Sequence, residues 1–155
     1  MDEMDDMDRT NSMGLWRYSK EFYAAADIII KSEPNSGIST VAYYLICHSL
    51  ELSMKSFLRG KGASLDLLRC KLGHDLAKLL KKVEKSNIGK FVEITDVDRQ
   101  AIKVINPYYK NKEFEYITTG CKTFPEIDLL VAFADKLICK TEGFCFDSMN
   151  IHDSK

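Results

Sequence analysis

Tyr44-Leu45-Ile46-Cys47-His48-Ser49-Leu50-Glu51-Leu52-Ser53-Met54-Lys55-Ser56-Phe57-Leu58 lies within a longer segment, Val41 to Arg59, whose apolar residues cover most of a helical circumference. His48, Glu51 and Lys55 interrupt it at i, i+3 and i+7, which lines them up along one stripe. A helix this apolar belongs at the centre of a helical bundle. Ser39 or Thr40 is placed to cap its start, and Gly60-Lys61-Gly62 supplies the permissive backbone that ends it.

Helical patterns continue on both sides. From Leu15 to Glu33, Leu15, Tyr18, Phe22, Ala25, Ala26, Ile29 and Ile30 recur at three- and four-residue steps, and Pro34-Asn35-Ser36-Gly37 then breaks the chain. Residues 63–72 read as a connection with a short helical turn around Leu65 to Leu68. Asp75 is a cap for a third helix, with Leu76, Leu79, Leu80 and Val83 inward, ending near Ser86-Asn87. Thr95 or Asp96 opens a fourth, with Val97, Ala101, Val104 and Ile105 inward; Asn106-Pro107 is expected to stop it. Tyr108 to Phe124 has no period and reads as either a packed or a functional loop. Thr123 and Pro125 give an N-cap and first-turn signature for a last helix carrying Ile127, Leu130, Ala134, Leu137 and Ile138. The alternation of a sheet is absent. The fold expected is all-α, an antiparallel up-and-down bundle of four to five helices over 14–141. A disordered acidic tail is expected over 1–13, and a partly docked C-terminal tail over 142–155, where Phe144 and Phe146 are the docking aromatics.

With 155 residues, 45% hydrophobic and 29% charged, the chain has the size and composition of one globular domain. Its longest apolar run, Val41 to Cys47, is far short of a bilayer span, and acids stand where a signal peptide needs basic residues, so a cytoplasmic protein without membrane contact is expected. Five cysteines without a CxxC pair argue for reduced thiols and no metal, and no motif calls for a cofactor. The net charge of −1 conceals an uneven distribution. Residues 55–90 carry ten basic side chains against Asp66, Asp75 and Glu84, whereas residues 1–8 carry Asp2, Glu3, Asp5, Asp6 and Asp8 between methionines.

The central segment, followed by Gly73-His74-Asp75-Leu76-Ala77-Lys78-Leu79-Leu80, resembles the core pattern of the HEPN domain family (higher eukaryotes and prokaryotes nucleotide-binding domain). In that family a mostly apolar helix bears a Glu and a Lys one turn apart, and a loop then leads to His-Asp-Leu opening the next helix. The resemblance covers most of residues 15–141. It implies a helical bundle, frequent homodimers, and links to nucleotides, RNA, toxin–antitoxin and defence systems, in some cases beside a separately encoded nucleotidyltransferase partner. Some members are metal-independent endoribonucleases that use an arginine and a histidine a few residues apart. Arg69 and His74 have that spacing. Cys70, however, follows the arginine where a polar residue is usual, the pair stands earlier in the chain than the ribonuclease motif, and Arg99 has no histidine partner.

Three groups of residues are therefore candidates. His74 would act as general base on a ribose hydroxyl while Arg69 stabilises phosphate charge, or His74 merely orders a turn and Arg69 is solvated. His48, Glu51 and Lys55 would line a ligand or dimer cleft, or form an ion pair that orients the helix. Lys78, Lys81, Lys82 and Lys85 would bind phosphates, or form a solvated face. Tyr108, Tyr109, Lys110, Lys112, Phe114 and Tyr116 interleave aromatics with cations as base-stacking surfaces do, although core and loop packing is the reading favoured for the aromatics. The reading favoured is a non-catalytic module binding nucleotide, RNA or a partner protein. The alternatives are the ribonuclease and a scaffold for a nucleotidyltransferase.

Overall fold

The computed structural model describes residues 9–32, 39–116 and 119–152, and among these the chain is an all-α bundle. Helix α1 spans Ser12–Ser32, α2 Thr40–Gly60, α3 Leu76–Lys85, α4 Asp96–Lys110 and α5 Ile127–His152, with a π-helical turn at Leu67–Leu72 and a 3-10 turn at Ile88–Lys90. The expected tail over residues 1–8 lies outside the described residues. Its inner boundary falls earlier than expected, because Ser12 already belongs to α1 and its hydroxyl donates to the carbonyl of Ser56 at 2.6 Å.

Helix α2 is the centre, as its apolar girth requires. Ile46, Cys47, Leu50, Met54 and Phe57 are fully buried, and α2 packs on α1, α3 and α5. Ser39 caps it by accepting from the Ala42 amide. Small residues let α1 approach closely: Ser19 and Ser49 each donate to the other's carbonyl, at 2.9 and 2.8 Å. As the α1 partner rises from Ser12 to Ser19, the α2 partner falls from Ser56 to Ser49, so the two helices are antiparallel. The same reasoning makes α3 and α4 antiparallel, through Leu76 with Asn106 and Glu84 with Arg99.

Three expectations about helix ends change. Pro107 does not terminate α4, which runs on to Lys110 with the proline inside it. Proline forfeits one amide bond, but the capping box of Thr95 and Asp98 and the buried Ala101, Ile102, Ile105 and Tyr109 hold the helix through it. Thr123 and Pro125 do not start α5, which begins at Ile127. Their backbones are tied elsewhere: the Thr123 amide donates to the Tyr108 hydroxyl, and the Pro125 carbonyl accepts from the Tyr43 hydroxyl at 2.6 Å. Finally, residues 142–152 are no tail, because α5 continues to His152; residues 153–155 of the expected tail lie outside the described residues. Cys145 and Ser148 are buried and Phe144 packs on Phe57 and Phe91, while Phe146 faces solvent.

That last contact constrains Gly60. A β-carbon there would stand 2.7 Å from the Phe144 ring and 3.1 Å from the Ser12 hydroxyl. Gly60→Ala is therefore expected to destabilise the bundle by about 1–3 kcal/mol despite alanine's better helix propensity, visible as a lower urea midpoint.

Candidate functional site

Glu51 sits on the central helix with only 2% of its surface exposed, and it organises a polar cluster within the core. Lys55, one turn later and itself buried, donates to Oε1 at 2.7 Å. His74 places Nδ1 3.0 Å from Oε2 and 3.2 Å from Oε1. Tyr109 donates its hydroxyl to Oε2 through a short hydrogen bond. His48 Nδ1 lies 2.9 Å from the Tyr109 oxygen and 3.7 Å from Oε2. Four side chains from three parts of the chain thus meet one carboxylate.

The protonation pattern follows from these contacts. The single phenolic proton of Tyr109 is committed to Glu51, so His48 Nδ1 must donate to the phenol oxygen. His74 Nδ1 faces carboxylate oxygens and must also carry hydrogen, which in the neutral ring leaves Nε2 with its lone pair. Burial by itself would raise the Glu51 pKa. His48, the charge and hydrogen bond of Lys55, and the Tyr109 hydroxyl outweigh burial and hold it at about 2. Burial, followed by the charge of Glu51, pushes the Tyr109 phenol well above its ordinary value. The cluster is therefore an ionised Glu51–Lys55 pair with a neutral phenol.

His74 reaches Glu51 because of the backbone before it. The Gly73 amide bonds to the Leu68 carbonyl at 3.1 Å, closing the π-helical turn, and Gly73 then takes φ +52°, a region that disfavours a side chain. Asp75 caps α3 by accepting from the Lys78 amide at 3.1 Å. Helix α4 clamps this start: Asn106 accepts from the Leu76 amide at 2.8 Å and donates to Asp75 at 3.1 Å, and Lys110 stands 3.6 Å from the same carboxylate. His74 keeps about half its side chain exposed, and its Nε2 makes no hydrogen bond among the described residues.

The structure thus brings His48, Glu51, Lys55 and His74 together, which were two separate groups in the sequence. Arg69 stands exposed on the π-helical turn that His74 follows, and no hydrogen bond or ion pair joins the two. Lys78, Lys81, Lys82 and Lys85 lie exposed on α3 and form no ion pair among the described residues. Asn106, Tyr109 and Lys110 are the partners that sequence reasoning missed as a group. Their i, i+3, i+4 spacing was the available signal, and the assumption that Pro107 ends the helix concealed it. The other aromatics of that stretch mostly pack: Tyr43, Phe114 and Phe124 cluster with ring centres 4.9–6.5 Å apart, and Tyr108 meets Phe124 edge-on. Among the described residues no group of His, Cys, Asp and Glu is arranged to hold a metal, and no helix is long and apolar enough to cross a membrane.

Comparison of the chain with protein-family models, with curated proteins and with solved structures finds no match.

Proposed function

We propose that this chain is a HEPN-like module that binds the phosphate-bearing part of a nucleotide or RNA beside His74. The observation that carries the reading is the half-exposed His74 ring, fixed through Nδ1 by the buried Glu51 with Nε2 left unpartnered. A histidine held in this way keeps one orientation, and in its imidazolium form, with hydrogen on both nitrogens, it donates from Nε2 to a phosphate oxygen. Exposed Arg69, Lys71 and Lys78 lie on the segment that flanks it, so a phosphate at Nε2 would enter a field of cations. Binding of this kind releases counterions and weakens steeply with salt.

A second reading, a metal-independent ribonuclease, is favoured by the same free nitrogen. Nε2 of neutral His74 would take the proton of a ribose 2′-hydroxyl, whose oxygen attacks the adjacent phosphorus to give a cyclic phosphate. The departing 5′-oxygen would be protonated by the imidazolium or by water, with Arg69 countering the added phosphate charge.

One gel separates the readings. End-labelled single-stranded RNA incubated without metal is expected to be retained intact at low salt and released as salt rises. Replacing Lys78, Lys81, Lys82 and Lys85 by glutamine should weaken retention by about ten- to a hundredfold and flatten the salt slope. Cleavage that disappears in His74→Ala would establish the ribonuclease instead. Neither retention nor cleavage would contradict both.

A further inference from the structure

Glu51 is one carboxylate facing two groups that can each carry a positive charge. Lys55 donates to Oε1 at 2.7 Å, and His74 Nδ1 stands 3.0 Å from Oε2 and 3.2 Å from Oε1. Lys55 is 8% exposed and donates to no other group among the described residues, so its charge and that of Glu51 cancel within the bundle. A proton added to His74 is therefore not balanced by the carboxylate that it touches. It leaves the three groups together with one net positive charge, on a ring that is half exposed.

The groups that face His74 hold their charge states around neutral pH. On α2, burial works against the Glu51 charge, yet its partners keep the pKa at about 2. On α4, burial and then the charge of Glu51 raise the Tyr109 phenol, whose ring meets His74 edge-on at 6.3 Å. For Asp75, the next residue in the chain, burial again opposes the charge, but the Lys78 amide, Asn106 and Lys110 lower its pKa. Within residues 69–78 the other charged side chains are the cations Arg69, Lys71 and Lys78. Two imidazoles remain. His48 reaches Glu51 through the phenol, with Nδ1 2.9 Å from the Tyr109 oxygen and 3.7 Å from Oε2, and its ring lies against Phe22 and Tyr44. His74 touches both carboxylate oxygens directly and is the more exposed of the two, at 51% against 23%.

We infer that the site takes up its phosphate together with one proton, gained at His74 Nε2, so that affinity for the ligand falls as pH rises. The inference rests on the phosphate-binding reading above. Neutral His74, with its hydrogen on Nδ1, offers a phosphate oxygen only a lone pair, whereas the imidazolium donates a charge-assisted hydrogen bond. The coupling is reciprocal: what the proton adds to phosphate affinity, the bound phosphate adds to proton affinity. A singly charged phosphodiester supplies the negative charge that the protonated Glu51–Lys55–His74 group lacks, which makes a nucleic-acid backbone the matching class of ligand.

The test uses a 2′-O-methyl oligouridylate with hydroxyl ends. It has no 2′-hydroxyl to attack its own backbone, and it lacks the phosphate monoester that would titrate near pH 6. At fixed salt, the parent protein is expected to bind it several-fold more weakly at about pH 8 than at about pH 6, the limit for one proton being about tenfold per pH unit. Binding heats in buffers of different ionisation enthalpy should show a proton entering the complex. His74→Asn puts an amide nitrogen where Nδ1 stood, keeping a donor for Glu51 and removing Nε2. That variant should bind at every pH as weakly as the parent does at the alkaline end, without the proton. The imidazole 15N signals of the parent protein answer the same question with no substitution: His74 Nε2 should move to its protonated position when the oligomer is added at constant pH. Equal affinity across the range with no proton taken up overturns the coupling and leaves phosphate binding intact. A pH dependence that survives in His74→Asn and disappears in His48→Asn puts the proton on the other imidazole and overturns it as well. No binding at any pH overturns the phosphate-binding reading and the coupling with it.

Discussion

Glu51→Ala is expected to cost on the order of 3–5 kcal/mol, because it strips the carboxylate from a buried Lys55 and leaves the Tyr109 hydroxyl and His74 Nδ1 without their acceptor. For a chain of this length that corresponds to a fall in Tm of roughly 10–15 °C. The cost lies in the orphaned partners rather than in the worth of the ion pair. The double replacement Glu51→Leu with Lys55→Met, similar in volume and apolar, should therefore recover the share of the loss that comes from the orphaned Lys55, while the Tyr109 hydroxyl still lacks its acceptor. It should not recover the fixed orientation of His74. Thermal melts of the single and double variants, with RNA retention measured on both, separate the structural from the functional role of the carboxylate. If the single variant melts with the parent protein, Glu51 is not the keystone described here.

Acid should act on the same residue. The Glu51 pKa is about 2 in the folded bundle against an ordinary 4.5, so the unfolded chain takes up the proton first. The stabilisation is complete above about pH 5.5, declines as pH falls through the unfolded value, and is gone below about 2. A gap of this size corresponds to roughly 3 kcal/mol. Asp75 adds to it in the same sense: burial works against its ionisation, but the Lys78 amide, Asn106 and Lys110 lower its pKa nonetheless. Urea midpoints measured between pH 7 and pH 3 should drop steeply in the parent protein. In Glu51→Gln the curve should be lower at neutral pH and flatter towards acid. Parallel curves for the two proteins would exclude Glu51 as the source.

The bundle was legible because its helices are strongly periodic and punctuated. Ser39, Asp75 and Thr95 were each identifiable as caps, and each accepts the amide that a cap should. Pro107 and Pro125 misled for one reason: a local rule about proline was outweighed by tertiary contacts. Buried Ile105 and Tyr109 carry α4 past the first, and the Tyr43 hydroxyl holds the carbonyl of the second outside α5. Half of the site could be read in advance. The spacing of His48, Glu51 and Lys55 put them on one stripe, and burial on so apolar a helix demanded partners. That those partners are His74 and Tyr109, 23 and 58 residues away in the chain, is a property of packing that no local pattern encodes. A short helical turn around Leu65 to Leu68 was legible, but not that it runs on as a π-helical turn to Leu72 and, through Gly73, aims His74 at the carboxylate.

Titrating a uniformly 15N-labelled protein with a short single-stranded oligoribonucleotide at low salt, while following the imidazole nitrogens and backbone amides, addresses the central claim directly. The expected result is a large change at His74 Nε2, little change at its Nδ1, and amide shifts from Arg69 through Lys85 that vanish as salt is raised. A spectrum in which His74 is silent while the shifts fall elsewhere, for instance in the apolar groove between Val97, Val104 and Leu129, would contradict it.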